Sequence, residues 1–186
     1  MNVREKRLQN DFKALSELVE NSGETLMIIS RDGNPPYQYI IEYRCRGIES
    51  LRGNEPVFCS SHQVEITLGN SYPRGRPEAK FLTPIFHPDV FPNGVVCLGR
   101  WSEMAETLPE LVLRIGKVIQ YVDDIIYKNG SDNHQAWAWY KNNRDRLPVD
   151  NKTFKSPKTP SDLIWNDLSA INSYMENIVF LDLEGS

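Results

Sequence analysis

The chain has 186 residues, 40% of them hydrophobic, with 21 Lys and Arg against 25 Asp and Glu; this suits one globular domain with appendages and argues against wholesale disorder. A net charge of −4 lacks the basic excess that binding by phosphate neutralisation needs. The longest uncharged apolar runs, such as Leu26 to Ile29 and Ile178 to Leu181, fall far short of the roughly 20 residues that span a bilayer. Neither nucleic acid nor membrane is therefore an expected partner. No apolar signal-peptide segment follows Arg4, Lys6 and Arg7, so a cytoplasmic location is expected.

Leu8, Phe12, Leu15 and Val19 recur at helical spacing and predict an amphipathic helix that closes near Asn21 to Gly23. Two strands follow, Leu26 to Ser30 and Tyr37 to Arg46, separated by the turn signals Asp32, Gly33, Asn34, Pro35 and Pro36. A loop is expected from Gly47 to about Pro56. Val64, Ile66 and Leu68 then alternate with Glu65 and Thr67 in a strand over Gln63 to Leu68, and Glu78 to Leu82 makes a short last strand. From Thr83 to Trp101 no period persists, and Pro84, Pro88, Pro92, Asn93 and Gly94 punctuate a long loop of the kind that usually carries function. Thr107 and Glu110 have capping-box spacing with Pro109 in the first turn, and Leu111, Val112, Ile115, Val118, Ile119, Val122, Ile125 and Ile126 predict a core helix stopped by Asn129-Gly130. Asn133 caps a shorter helix through Ala136, Trp137, Tyr140 and Asn143.

These elements predict an α+β domain over 1–147, with helices packed on a four-stranded antiparallel sheet. Residues 148–160 read as a linker, and 161–186 as an acidic helix capped by Ser161 and followed by the apolar tail Ile178 to Leu183. The basic stretch 141–158 is read as solvent or acidic-tail contact.

Three cysteines, Cys45, Cys59 and Cys97, with no CxxC pair and only three histidines, make neither a disulfide framework nor a zinc site. No metal or other cofactor is called for. Cys45 and Cys59 read as buried apolar residues. Cys97 follows an Asn93-Gly94 turn in the long loop that also holds His87 and Asp89, so it is either a buried loop residue or a positioned nucleophile.

Tyr72-Pro73, Pro77, His87-Pro88-Asp89 and Gly94 with Cys97-Leu98 stand in a fixed order, the cysteine eight positions beyond Asp89. In this the stretch from about Arg4 to Arg144 resembles the ubiquitin-conjugating (E2) family, whose first helix Arg7-Leu8, Asp11-Phe12 and Leu15 also look like. The resemblance implies a UBC-like fold. It further implies that Cys97 accepts a ubiquitin-like modifier as a thioester from an E1-like activating enzyme and passes it to an amine of an acceptor protein. Under the same resemblance His87 and Pro88 fix the loop together with Asn93 and Gly94, and Trp101 packs beneath it. Asp132 lies where the family places an acid that orients or deprotonates the incoming amine. Arg4, Lys6, Arg7 and Lys13 resemble the basic face that meets the activating enzyme, and read equally as a solvated helix face.

Several positions depart from the family pattern. Asp89 replaces Asn, Gly99 follows where many members have Asp, Trp101-Ser102-Glu103 lacks the usual proline, and Arg74 stands where RING-binding members carry an aromatic residue. Such divergence looks like the bacterial E2-like proteins of ubiquitin-like conjugation operons, some of them linked to phage defence. Asp89 has three roles open to it: proton acceptor for the amine, protonated donor, or brace of the loop. Two other functions remain open, a non-catalytic E2 variant that only binds, and a papain-like cysteine hydrolase using Cys97 and His87. Hydrolase nucleophiles commonly sit at a helix N-terminus, whereas the predicted helix begins ten residues after Cys97.

Overall fold

Helix α1 (Val3–Glu20) opens with a capping box in which the Asn2 side chain accepts from the Glu5 amide and Glu5 reaches back to the Asn2 amide. Its inner face buries Leu8, Asp11, Leu15 and Leu18; Phe12 and Val19, expected on that face, sit at its partly buried rim. The computed structural model describes residues 2–99, 101, 106–122 and 133–150, all within one unit, Met1–Lys155.

Four strands form the expected antiparallel sheet: β1 (Leu26–Gly33), β2 (Pro36–Tyr43), β5 (His62–Thr67) and β6 (Glu78–Phe81), in the order β1-β2-β5-β6. Strand β1 runs beyond the expected Ser30 to Gly33, because Asn34-Pro35 alone suffices to turn the chain after Gly33 at φ 95°. The inward faces of β2 and β5 alternate strictly, with Tyr39, Ile41 and Tyr43 beside Val64 and Ile66. These side chains pack with α1 and with Leu108, Leu111, Val112, Ile115 and Ile119 of α2 (Leu108–Ile119) in one apolar core. The Tyr43 hydroxyl, buried in that core, donates to the Val112 carbonyl at 3.0 Å and ties sheet to helix.

The segment expected to be a loop up to Pro56 is a second sheet. Strands β3 (Gly47–Arg52) and β4 (Glu55–Cys59) pair as a hairpin around Gly53-Asn54. A register shift between Ile48 and Ser50 breaks the alternation, and Pro56 within β4 is a residue that usually demotes a strand, so the pattern hid the element. Under this hairpin lies a second apolar cluster of Ile48, Phe86, Tyr121, Ala136, Trp139 and Tyr140.

Helix α2 carries the predicted capping box, Thr107 with Glu110, but ends at Ile119 rather than continuing through Val122. Tyr121 takes a left-handed φ of 58°, and the Val122 and Tyr121 amides donate back to the Lys117 and Val118 carbonyls, both at 3.1 and 3.0 Å respectively. Ile125 and Ile126 lie outside the described residues. Helix α3 (His134–Asn142) starts where predicted, with the Asn133 side chain accepting from the Ala136 amide at 3.1 Å. A single 3-10 turn follows at Arg144–Arg146. Asp150, within the expected linker, accepts from the Arg46 amide at 2.8 Å and from the Gln120 side chain. Residues 151–160 of that linker, the acidic helix and the apolar tail lie outside the described residues. No described helix is long and apolar enough to cross a membrane.

Candidate active site

The loop that follows β6 is bonded to its surroundings almost residue by residue. The Leu82 amide donates to the Gln63 carbonyl at 2.8 Å, and the Phe86 amide donates to Ile48 of β3 at 2.8 Å. Beyond Asp89 the chain folds back on itself. Val90 bridges Val96, the Phe91 amide donates to Val95 at 2.9 Å, and the Gly94 amide donates to Phe91 at 2.8 Å. At the tip the Asn93 side chain accepts from the Val95 amide at 3.1 Å, the local bond that makes Asn a turn residue. Gly94 sits at φ 87°, and a Cβ there would come within 2.7 Å of the Phe81 carbonyl. That close approach lets the Phe81 amide donate to Gly94 at 2.9 Å and Val96 donate to Ala79 at 2.9 Å, so the loop tip is docked on the edge of β6.

Cys97 follows directly. Its amide donates to the Asp89 carbonyl at 2.8 Å, and its thiol, in no disulfide, is half-buried. Asp89, Pro88 and His87 are buried beneath. The Asp89 amide donates to His87 Nδ1 at 3.0 Å, and the Pro88 carbonyl accepts from Asn133 at the start of α3 at 3.1 Å. Burial pushes the His87 pKa down to about 3, so the imidazole is neutral. With Nδ1 accepting, the ring proton sits on Nε2, which has no hydrogen-bond partner among the described residues. A histidine so placed has no free lone pair with which to deprotonate a thiol. His87 is therefore not placed to act as the base of the Cys97–His87 hydrolase reading. Helix α2 also starts at Leu108, well after the cysteine.

The other predicted residues fall in different places. Trp101 is half-buried, its indole N–H donates to the Pro73 carbonyl at 2.7 Å, and its ring centroid lies 5.9 Å from that of Tyr72. Asp132 lies outside the described residues. The four α1 cations do not form one free face. Arg4 donates to the Leu68 and Gly69 carbonyls at 3.0 and 3.3 Å; Arg7 donates to Asp11 and to the Glu106 carbonyl at 2.8 and 2.6 Å. Lys6 and Lys13, seven residues apart and so on one side of the helix, are exposed. Cys45 is buried as expected, whereas Cys59 is only half-buried, its thiol 3.2 Å from the Ser61 carbonyl.

Two structural residues escape the sequence reading. Asp11 is buried on the apolar face of α1, where it accepts from Arg7, from the Tyr72 hydroxyl and from the Leu108 amide at 3.3 Å. Its position between Leu8 and Leu15 on one helical stripe was the available signal. Tyr121 is the second; its hydroxyl donates to the Phe86 carbonyl and its ring meets that of His87 at 4.4 Å.

An α1 helix, an antiparallel sheet and a docked cysteine loop define a UBC-type α+β protein. A solved Trypanosoma cruzi protein described as a ubiquitin conjugating enzyme shares this fold, with a TM-score of 0.57 and 20% identity over 77% of this chain and 94% of that one. The family model for ubiquitin-conjugating enzymes matches residues 56–151, more than half of the chain. The protein therefore belongs to the ubiquitin-conjugating enzyme family. The SUMO-conjugating enzyme UBC9 of Caenorhabditis elegans is 29% identical over 79 residues, 42% of this chain and 46% of the relative. Ubiquitin-conjugating enzyme E2 2 of Mycosarcoma maydis is 39% identical over 51 residues, 25% of this chain and 28% of the relative. The matched stretches span less than half of either relative's length.

Proposed function

We propose that this protein carries a ubiquitin-like modifier as a thioester on Cys97, receives it from an E1-like activating enzyme and delivers it to an amine of an acceptor protein. The observation that supports this best is the Cys97 thiol itself, half-buried at the end of a loop whose backbone is bonded to β6 on one side and to Asp89 on the other. In the loading step the Cys97 sulfur attacks the carbonyl of the activating enzyme's thioester, and the activating enzyme's cysteine leaves as the thiolate. One thioester replaces another, so the exchange is nearly balanced and asks for an accessible sulfur more than for a strong base. In the discharge step an amine attacks the same carbonyl, loses a proton, and Cys97 leaves.

The second step is the demanding one, because an amine of pKa near 10.4 must be deprotonated and the tetrahedral oxyanion must be stabilised. An ionised Asp89 can only accept hydrogen bonds and so cannot serve the oxyanion. We assign Asp89 to bracing the loop and Asp132 to orienting the amine. Lys6 and Lys13, the exposed cations of α1, are assigned to contact with the activating enzyme.

Incubation with the cognate activating enzyme, modifier and ATP should yield an adduct cleaved by reductant. It should vanish in Cys97→Ala, persist in Cys45→Ala and Cys59→Ala, and become resistant to reductant in Cys97→Ser. An adduct retained in Cys97→Ala sinks the assignment.

A further inference from the structure

Tyr121 occupies the position that ends α2, and its backbone does what glycine usually does there. The Val122 amide reaches back to the Lys117 carbonyl and the Tyr121 amide to Val118, the bond pair of a helix end whose turning residue is left-handed. A tyrosine at φ 58° is strained where glycine would be relaxed. Such strain persists only where the surroundings over-determine it, and the surroundings here are the cysteine loop.

The Tyr121 side chain is fully buried and faces that loop. Its hydroxyl donates to the Phe86 carbonyl, its ring lies edge-on to the His87 ring at 4.4 Å, and its other side meets Tyr140 of α3 at 5.9 Å. Burial and the neighbouring Asp89 keep the phenol protonated, so it remains a donor. Four consecutive carbonyls of the loop are each claimed by a different group: Phe86 by Tyr121, His87 by the Val90 amide, Pro88 by the Asn133 amide, and Asp89 by the Cys97 amide. The Phe86 amide is meanwhile held by Ile48. Of these claims only the one on Phe86 is made by a side chain, so only that one can be removed by substitution without cutting the backbone.

We infer that Tyr121 is a positioning residue for Cys97. By clamping Phe86 and His87 from the end of α2, it fixes the carbonyl of Asp89 to which the Cys97 amide is bonded. This rests on the carrier role for its kinetic consequence alone; the effect on the thiol is independent of any partner.

The full-length chain is tested as Tyr121→Phe, which removes the hydroxyl and keeps the ring, and as Tyr121→Asn, which tolerates the left-handed backbone and preserves the helix end. Tyr39→Phe is the matched control, since Tyr39 is an equally buried tyrosine whose hydroxyl donates to a carbonyl, that of Pro36 at 3.1 Å. Iodoacetamide alkylation is followed across pH by peptide mass spectrometry, with Cys59 as the internal reference. Both Tyr121 variants should change the Cys97 rate at least about threefold and move its pH midpoint, while Cys59 in every variant and Cys97 in Tyr39→Phe stay as in the parent. Thioester discharge onto free lysine should slow about tenfold in Tyr121→Phe, within the roughly 10²-fold that a 1 Å misplacement costs. Cys97 profiles in both variants that match the parent would reduce Tyr121 to a helix cap and overturn the inference. A parent chain that accepts no modifier while its Cys97 profile shifts in the variants would overturn the carrier role and uphold the positioning role.

Discussion

Asp89 is the residue where the family pattern and this chain part most sharply, and its burial narrows the three roles left open to it. A carboxylate with no exposed surface cannot collect a proton from an incoming amine unless the loop opens. Both of its backbone groups are engaged, the amide with His87 and the carbonyl with Cys97. These main-chain bonds survive truncation of the side chain, so the brace role predicts that Asp89→Ala changes loading and discharge alike, and little, at every pH. Single-turnover loading and discharge measured in parallel from neutral to alkaline pH decide this. A loss confined to discharge at neutral pH and recovered at high pH would instead make Asp89 the proton acceptor.

At the scale of elements, the contact between α1, the Tyr72-Pro73 segment and α2 is organised around one carboxylate. Asp11 accepts from Arg7, Tyr72 and Leu108 at once, and Arg7 goes on to the Glu106 carbonyl, which precedes the α2 cap. Burial, reinforced by Asp11, pushes the Tyr72 phenol upward, so it is a donor throughout the usable pH range. Removing the acceptor leaves a buried hydroxyl, a buried amide and a partly buried guanidinium without it. Asp11→Ala should therefore cost about 3 kcal/mol in urea unfolding, within the range for breaking a buried charged pair. A change below about 1 kcal/mol would mean that water replaces the carboxylate at little cost.

For the molecule as a whole, two buried histidines set a pH dependence. Burial lowers the pKa of His62 and takes that of His87 down to about 3, both below the ordinary histidine value of 6.5. Between those limits the unfolded chain binds protons that the folded one refuses. The stability they contribute is therefore complete above about pH 6.5 and is lost progressively as pH falls below it, for His87 down to about 3. His87 alone should remove about 2 kcal/mol between pH 7 and pH 5, with His62 adding in the same direction. Urea unfolding at these two pH values measures it, and equal stability at both would show that neither histidine is kept neutral by the fold.

Signals carried within a few residues were legible in the chain. The capping box at Thr107, the cap at Asn133, the alternation of Val64, Ile66 and Leu68, the Asn93-Gly94 turn and the spacing from Asp89 to Cys97 all appear in the structure where the sequence placed them. Each depends on bonds between near neighbours or on a period that one face of an element imposes. What depends on distant partners was not legible. The β3–β4 hairpin, with its bulge and its proline, acquires meaning only because the Ile48 carbonyl holds Phe86. Helix α2 has an apolar pattern that continues past Ile119, and it stops because Tyr121 turns the chain and sends its side chain to the cysteine loop. Arg4 and Arg7 read as surface charge until Leu68, Gly69 and Glu106 arrive from elsewhere in the chain to accept from them. Periodicity records which side of an element is apolar; which carbonyl, ring or carboxylate stands opposite is decided only when the layers close.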